Sequence, residues 1–274
     1  MSLNCGARIL TLDRPRVMGI LNVTPDSFSD GGRYTVPDTA LQHAERMLAE
    51  GADLIDVGGE STRPGAAKVS TQQELDRVIP IVEAITARLD TIVSIDTSKP
   101  AVMQAAAAAG AGLINDVRAL REPGALALVA ELELPVCLMH MQGAPASMQA
   151  SPHYEQIVED VVAFLTERTR ACVEAGVVAS QIVWDPGFGF GKDFTHNMDL
   201  LNGLSVLTRQ YPVLIGLSKK RMIAELLGDT SIDRTQASVM AAMLCVQKGA
   251  RIVRTHDVAP TVHSLAVLAG AERD

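Results

Sequence analysis

Polar and charged side chains capable of chemistry recur directly after short apolar runs. They are Asn22 after VMGIL, Asp56 in DLIDV, Asp96 in VSIDT, Asn115 in LIND, His140 after PVCLM, Asp185 in VWDPG, Lys220 in GLSKKRM and Arg254 in RIVRTHD. A carboxylate only accepts hydrogen bonds, so a buried Asp96 or Asp185 needs a donor-rich partner, and a ring edge with two adjacent donors supplies one. Asn115 can both donate and accept. Arg63, in the GGESTRPG segment, and Arg254 with His256 offer cations to an anionic group. Arginine forks combined with backbone NH groups of a glycine-rich turn are suited to a pyrophosphate. Lys220 raises the idea of a Schiff-base lysine, but it lies beyond its apolar run, where charge and hydrogen bonding to a bound ring are easier than nucleophilic attack. Asn22 supplies one neutral oxygen, so a magnesium ion there would depend on waters and on the substrate's own phosphates.

Each of these residues also has a plainer reading. Asp and Asn after a strand commonly cap the next helix, and an arginine in a loop is commonly solvated. Three acceptors on separate strands with cations opposite weigh against capping, and Arg254 directly ends an apolar run.

The elements that must position these groups are short β-rich runs alternating with segments of helical period, the pattern of a parallel sheet. Eight runs qualify as strands: 17–22, 53–57, 92–96, 113–115, 135–139, 181–184, 213–217 and 251–254. Between the second and third, Leu75, Val78, Ile79, Val82, Ile85 and Leu89 form one apolar helical stripe, with Thr71 and Glu74 spaced as a capping box. Pro37 suits a first helical turn, and Gly51, Gly110, Gly176 and Gly249 suit left-handed helix ends. The polar segment 142–155 reads as a surface loop, and the residues before 17 as a small hairpin or extension over one mouth of the sheet. In an open sheet only strands at the switch point converge on one ligand. Polar groups at nearly every strand end therefore favour a (β/α)8 TIM barrel, read as a single domain over residues 1–274, with its site at the carboxyl ends of the strands.

The composition narrows the partners. With 24 Lys and Arg against 32 Asp and Glu, the formal charge of −8 opposes nucleic acid and anionic lipid surfaces. The amino terminus lacks a basic stretch followed by an apolar run, which points to a cytoplasmic protein. Four cysteines, Cys5, Cys137, Cys172 and Cys245, are widely spaced and read as buried thiols.

Taken together, the motifs resemble the dihydropteroate synthases. MGILNVTPDSFSDGG at 18–32, DVGGESTRPGA at 56–66, VSIDT, IND, DPGFGFGK at 185–192 and RTHD at 254–257 occur in that family's order. The resemblance implies condensation of 6-hydroxymethyl-7,8-dihydropterin pyrophosphate with para-aminobenzoate in folate biosynthesis, magnesium as cofactor, and a sulfonamide target. By motif, Asp96, Asn115, Asp185 and Lys220 would hold the pterin. Asn22, Arg63, Arg254 and His256 would hold pyrophosphate, with the metal at Asn22. Phe28, Thr62, Pro64, Phe190, Ser218 and Lys220 would surround para-aminobenzoate. Asp96, Lys220, Arg254 and His256 are the expected catalytic residues, and segments 24–35 and 61–70 the expected closing loops. One departure stands out: Lys219 occupies the middle of a Ser-Arg-Lys motif, where a planar fork is lost.

Two rivals remain at this point. A methyltransferase of the methyltetrahydrofolate and corrinoid kind shares the barrel and the pterin-facing acids, but does not need the Ser-Thr-Arg-Pro loop or Arg254 and His256. A catalytically silent paralogue would bind pterin or a partner protein without turnover. Apolar positions near the carboxyl end, Val262, Leu265, Ala266, Leu268 and Ala269, suit a homodimer surface or ordinary core packing.

Overall fold

All eight expected strands pair into one parallel sheet in the computed structural model, which describes residues 1–23, 36–61, 68–143, 148–149, 151–229 and 231–271. Phe28, Thr62, Arg63, Pro64 and most of the two expected closing loops lie outside these residues. The chain opens with β1 (Ser2–Cys5) and β2 (Arg8–Thr11), an antiparallel hairpin. The barrel strands are β3 (Arg16–Asn22), β4 (Leu54–Gly58), β5 (Ile92–Asp96), β6 (Leu113–Asp116), β7 (Val136–Met139), β8 (Ile182–Asp185), β9 (Leu214–Ile215) and β10 (Ile252–Thr255). Between them run α1 (Val36–Ala49), α2 (Thr71–Arg88), α3 (Pro100–Ala108), α4 (Ala125–Leu132), α5 (Ile157–Glu174), α6 (Phe194–Asn202), α7 (Leu204–Thr208), α8 (Arg221–Leu227) and α9 (Thr235–Gln247), and α10 (Val258–Ala271) follows β10.

The strand order β8-β7-β6-β5-β4-β3-β10-β9 becomes a ring through a parallel bridge between Trp184 and Val213. This is the expected (β/α)8 barrel. Strand β9 is shorter than the expected 213–217, because the chain leaves the ladder at Gly216 and turns toward the left-handed Lys219, φ 58°.

Alternation along the strands sorts the side chains. One cluster takes a residue from every barrel strand, Met18, Leu54, Ile92, Leu113, Cys137, Val183, Leu214 and Ile252, and joins them to Leu3, Cys5, Leu10 and Leu12 of the hairpin segment. The hairpin therefore plugs the amino-terminal mouth, as expected. Burial of each of these leucines is worth about 1.5–3 kcal/mol. The residues between, such as Ile55, Val57, Val93, Ile95, Ile114 and Val253, belong to the outer core beneath the helices. Side chains on a strand face one way every second residue. With Leu54, Leu113, Val183 and Ile252 inside, Asp56, Asn115, Asp185 and Arg254 must also face inward, one layer higher.

Several local expectations need correction. The capping box of α2 uses Ser70 and Gln73 rather than Thr71 and Glu74. Ser70 holds the extended cap conformation, whereas Glu74 is 1% exposed and turned inward to Lys99. The segment 142–155 is not wholly a surface loop, since Met148 packs with Val117, Met139, Met141 and Phe190. The apolar positions on α10 divide: Val262, Leu265 and Leu268 pack on the core, while Ala266 and Ala269 are exposed. Gly51, Gly110, Gly176 and Gly249 have φ between 99° and 107°, the left-handed ends expected. All four cysteines are buried and free. Among the described residues no helix is long and apolar enough to cross a membrane.

Candidate active site

Inward-facing acids and one arginine meet in the upper layer of the barrel. Arg254, from β10, donates through Nε to Asp56 Oδ2 of β4 at 2.6 Å and through Nη2 to Asp96 Oδ2 of β5 at 2.7 Å. Asn115 Nδ2, from β6, donates to the same Asp56 oxygen at 3.2 Å. Asn22 closes the group on the β3 side: a side chain grown from Gly58 would meet Asp96 Oδ2 at 3.6 Å and Asn22 Oδ1 at 3.7 Å. Gly216 is equally open, leaving space between the Lys220 ammonium and Arg254.

Two carboxylates share one guanidinium, so acceptors outnumber donors. Asp56 is fully buried and its Oδ1 has no partner among the described residues. Burial pushes the Asp96 carboxyl upward, Arg254 opposes that shift, and Asp56 adds to it. Burial likewise raises Asp185, against the pull of Lys220. Burial opposes the charge on Arg254, but Asp56 and Asp96 outweigh it and hold the guanidinium ionised. Lys220 is drawn down to about 8 by burial, which Asp185 only partly offsets. A ligand presenting adjacent NH donors would supply what this acceptor-rich cup lacks.

The segment after β8 forms the side wall. In Asp-Pro-Gly-Phe-Gly-Phe-Gly-Lys the glycines at 187, 189 and 191 are left-handed, with φ of 68°, 78° and 61°. At Gly187 a Cβ would lie 1.9 Å from the His140 carbonyl, and at Gly191 one would lie 2.5 Å from that of Gln142, so the motif needs glycine there for space as well as for φ. Asp185 Oδ1 accepts from Gly187 N at 2.7 Å. The expected wall residue Phe190 lies under the Lys220 ammonium, 4.6 Å from ring centre to nitrogen, and Lys220 donates to the Phe188 carbonyl at 2.5 Å.

Past β9 and β10, Ser218 Oγ and His256 Nδ1 are 3.0 Å apart, and the His256 amide donates to the same hydroxyl at 3.2 Å. Lys219 pairs with Asp257 Oδ1 at 2.8 Å, and the buried Oδ2 has no partner among the described residues.

Asp96, Asn115, Asp185, Lys220 and Arg254 thus converge on one cup, with Asn22, Phe190, Ser218 and His256 around it. Arg254 is not the free rim cation expected for an anion, because two of its nitrogens are taken by carboxylates. Asp56, legible as a strand-end acid to which the motifs assign no role, is fully buried, and its position two residues after the inward Leu54 is the signal for that. Lys192 is buried beside His140, and nothing in its sequence context distinguishes a buried lysine from a solvated one. Among the described residues no three acid, imidazole or thiolate groups gather as a metal site. The donor set at the cup fits a magnesium ion only as the notional single amide oxygen of Asn22 plus water and phosphate oxygens.

The pterin binding enzyme family matches residues 18–256. The dihydropteroate synthase of Haemophilus influenzae is 52% identical over 268 residues, 97% of this chain and 98% of that protein. The Xanthomonas albilineans dihydropteroate synthase solved with 4-aminobenzoic acid superimposes with a TM-score of 0.94 at 52% identity, covering 100% of this chain and 98% of that one. The same enzyme in complex with 7,8-dihydropteroate gives 0.91 at 49% identity, with both chains covered in full at 100%. The chain, with its acids on the inner face of a (β/α)8 barrel, belongs to the dihydropteroate synthase family of pterin-binding enzymes.

Proposed function

We infer that the cup divides its labour between a donor-rich ring and an aromatic amine. The activity is that of a dihydropteroate synthase: para-aminobenzoate displaces pyrophosphate from 6-hydroxymethyl-7,8-dihydropterin pyrophosphate, giving dihydropteroate. The observation that carries the residue assignment is the convergence of acceptors from separate strands, Asp96, Asn115 and Asp185, beside Lys220.

In this reading Asp96, Asn115, Asp185 and Lys220 bind the pterin, whose amino-bearing edge meets the unsatisfied acceptors. The methylene C–O bond breaks first, its electron pair leaving with pyrophosphate. The pterin ring delocalises the positive charge, and Asp96 and Asp185 stabilise it through space. The aniline nitrogen then attacks the methylene carbon and gives up a proton to solvent. Phe190 and Ser218, with Phe28, Thr62 and Pro64, enclose the amine. Arg63, His256 and the remaining edge of Arg254 face the pyrophosphate. A magnesium ion held by Asn22 would neutralise pyrophosphate charge when bound. Arg254 does a second job, fixing the direction of the Asp56 and Asp96 carboxylates and opposing the rise that burial imposes on Asp96.

Pyrophosphate release on mixing both substrates with magnesium tests the reading. Release that requires para-aminobenzoate supports it. Release without the amine, or none at all, favours hydrolysis or a silent binding protein.

A homodimer is proposed from the exposed Met240 and Leu244 of α9 and Val267 of the adjoining α10. Light scattering after Leu244→Glu should show monomer where the parent chain shows dimer. Four reduced, buried thiols accord with a cytoplasmic location.

A further inference from the structure

Residues 187–191 lie in no helix or strand, yet every one of their carbonyls is held by a side chain. Gly187 O and Phe190 O accept from Lys192 Nζ at 2.9 and 3.1 Å. Phe188 O accepts from Lys220 Nζ at 2.5 Å, Gly189 O from Gln149 Nε2 at 2.5 Å, and Gly191 O from the Tyr154 hydroxyl at 2.7 Å. The left-handed glycines turn successive carbonyls to different sides, and these donors meet them there.

Lys192 is the centre of this arrangement. It is 2% exposed, and besides the two carbonyls its nitrogen sits 2.9 Å from His140 Nδ1 and 3.5 Å from His140 O. All four acceptors are neutral, and among the described residues the nitrogen has no carboxylate of the kind a buried cation ordinarily takes. Burial pulls Lys192 well down, with Asp185 opposing, and burial followed by the charge of Lys192 does the same to His140, whose imidazole is neutral. Burying an amine among neutral acceptors alone is costly for stability. Its contacts instead brace the backbone at Gly187, just before Phe188 whose carbonyl anchors Lys220, and at Phe190, whose ring underlies the Lys220 ammonium.

We propose that Lys192 is a positioning residue for catalysis, cross-linking the carbonyls of the 187–191 turn so that the Phe190 ring and the Lys220 ammonium stand at fixed separation in the substrate cup. The inference rests on Phe190 and Lys220 belonging to the substrate pocket. A displacement of about 1 Å in such a wall is enough to cost up to 100-fold in rate.

The test is steady-state kinetics on Lys192→Met, which keeps the stem and removes the donors, beside Lys192→Gln, which keeps two. For Lys192→Met the expected result is a native circular dichroism spectrum, a rise of about tenfold or more in KM for para-aminobenzoate, and partial recovery in Lys192→Gln. Combined with Phe190→Ala, Lys192→Met should add little, because both act through one wall. If Lys192→Met does not fold, Tyr154→Phe releases only the Gly191 carbonyl and should raise the same KM about threefold. An unchanged KM with only a lower melting temperature, or effects that multiply in full in the double variant, would overturn the proposal. So would an unchanged KM in Tyr154→Phe where Lys192→Met fails to fold. A parent enzyme that forms no dihydropteroate would sink the assigned reaction and this inference together, whereas an active parent with an indifferent Lys192→Met would sink the inference alone.

Discussion

Arg254 Nε lies 2.6 Å from Asp56 Oδ2, joining two residues 198 positions apart in sequence across the intervening strand β3. Because Asp56 is fully buried, this pair cannot be rearranged with water, and the same guanidinium also orients Asp96. The acid layer of the cup depends on it.

Replacing the cation should therefore unfold the protein more readily. Arg254→Met leaves Asp56 and Asp96 buried without their shared counter-charge, for an expected loss of about 3–5 kcal/mol in urea denaturation at neutral pH. Arg254→Lys keeps the charge but cannot reach both carboxylates, and should recover only part of that loss. A loss below about 1 kcal/mol in Arg254→Met would mean the pair is dispensable to the fold.

Asp96→Asn separates charge from shape. If the carboxylate acts on the cation formed as the C–O bond breaks, kcat should fall by about 100-fold or more while the dissociation constant of the pterin pyrophosphate changes by less than about tenfold. Equal losses in both, measured by kinetics and calorimetry, would assign Asp96 to ground-state binding.

Lys220 sets an alkaline limit. Its folded value of about 8 lies below the usual lysine value, so the nitrogen is charged below that pH and neutral above it. A step that needs the ammonium should then lose kcat/KM as pH rises through about 8. The profile of the parent enzyme should show that limb and Lys220→Gln, at its reduced rate, should lack it. A parent profile flat between pH 7 and about 9.5 would remove the ammonium from the rate-limiting chemistry.

Lys219 offers a gain of stability. Its ammonium meets only Asp257 Oδ1, and the buried Oδ2 is unmatched among the described residues. Lys219→Arg presents a fork to both oxygens and should stabilise the protein by about 1 kcal/mol, seen as a raised urea midpoint with an unchanged m-value. No change in midpoint would show that the second oxygen is met by water.

The barrel was legible because apolar runs ending in Asp, Asn or Arg repeat around the chain, and strand limits such as Ile92–Asp96 coincide with the sequence expectation. Capping was less legible. Ser70, Thr71 and Glu74 all suit a helix start, and only the inward turn of Glu74 onto Lys99 decides that Ser70 and Gln73 make the box. Met148 in the polar segment 142–155 likewise becomes core only because Val117, Met139 and Met141, with Phe190 from another loop, gather around it.

By itself the sequence determined the alternation of strands and helices, and the reason is local: backbone period and side-chain chemistry act over a few residues. It also determined which residue types end each strand. The order of strands around the barrel, closed by Trp184 against Val213, decided which of them meet. Arg254 between Asp56 and Asp96, and Lys192 among the carbonyls of 187–191, are pairings between distant segments that no local preference encodes, because burial removes the water that would otherwise satisfy each group separately.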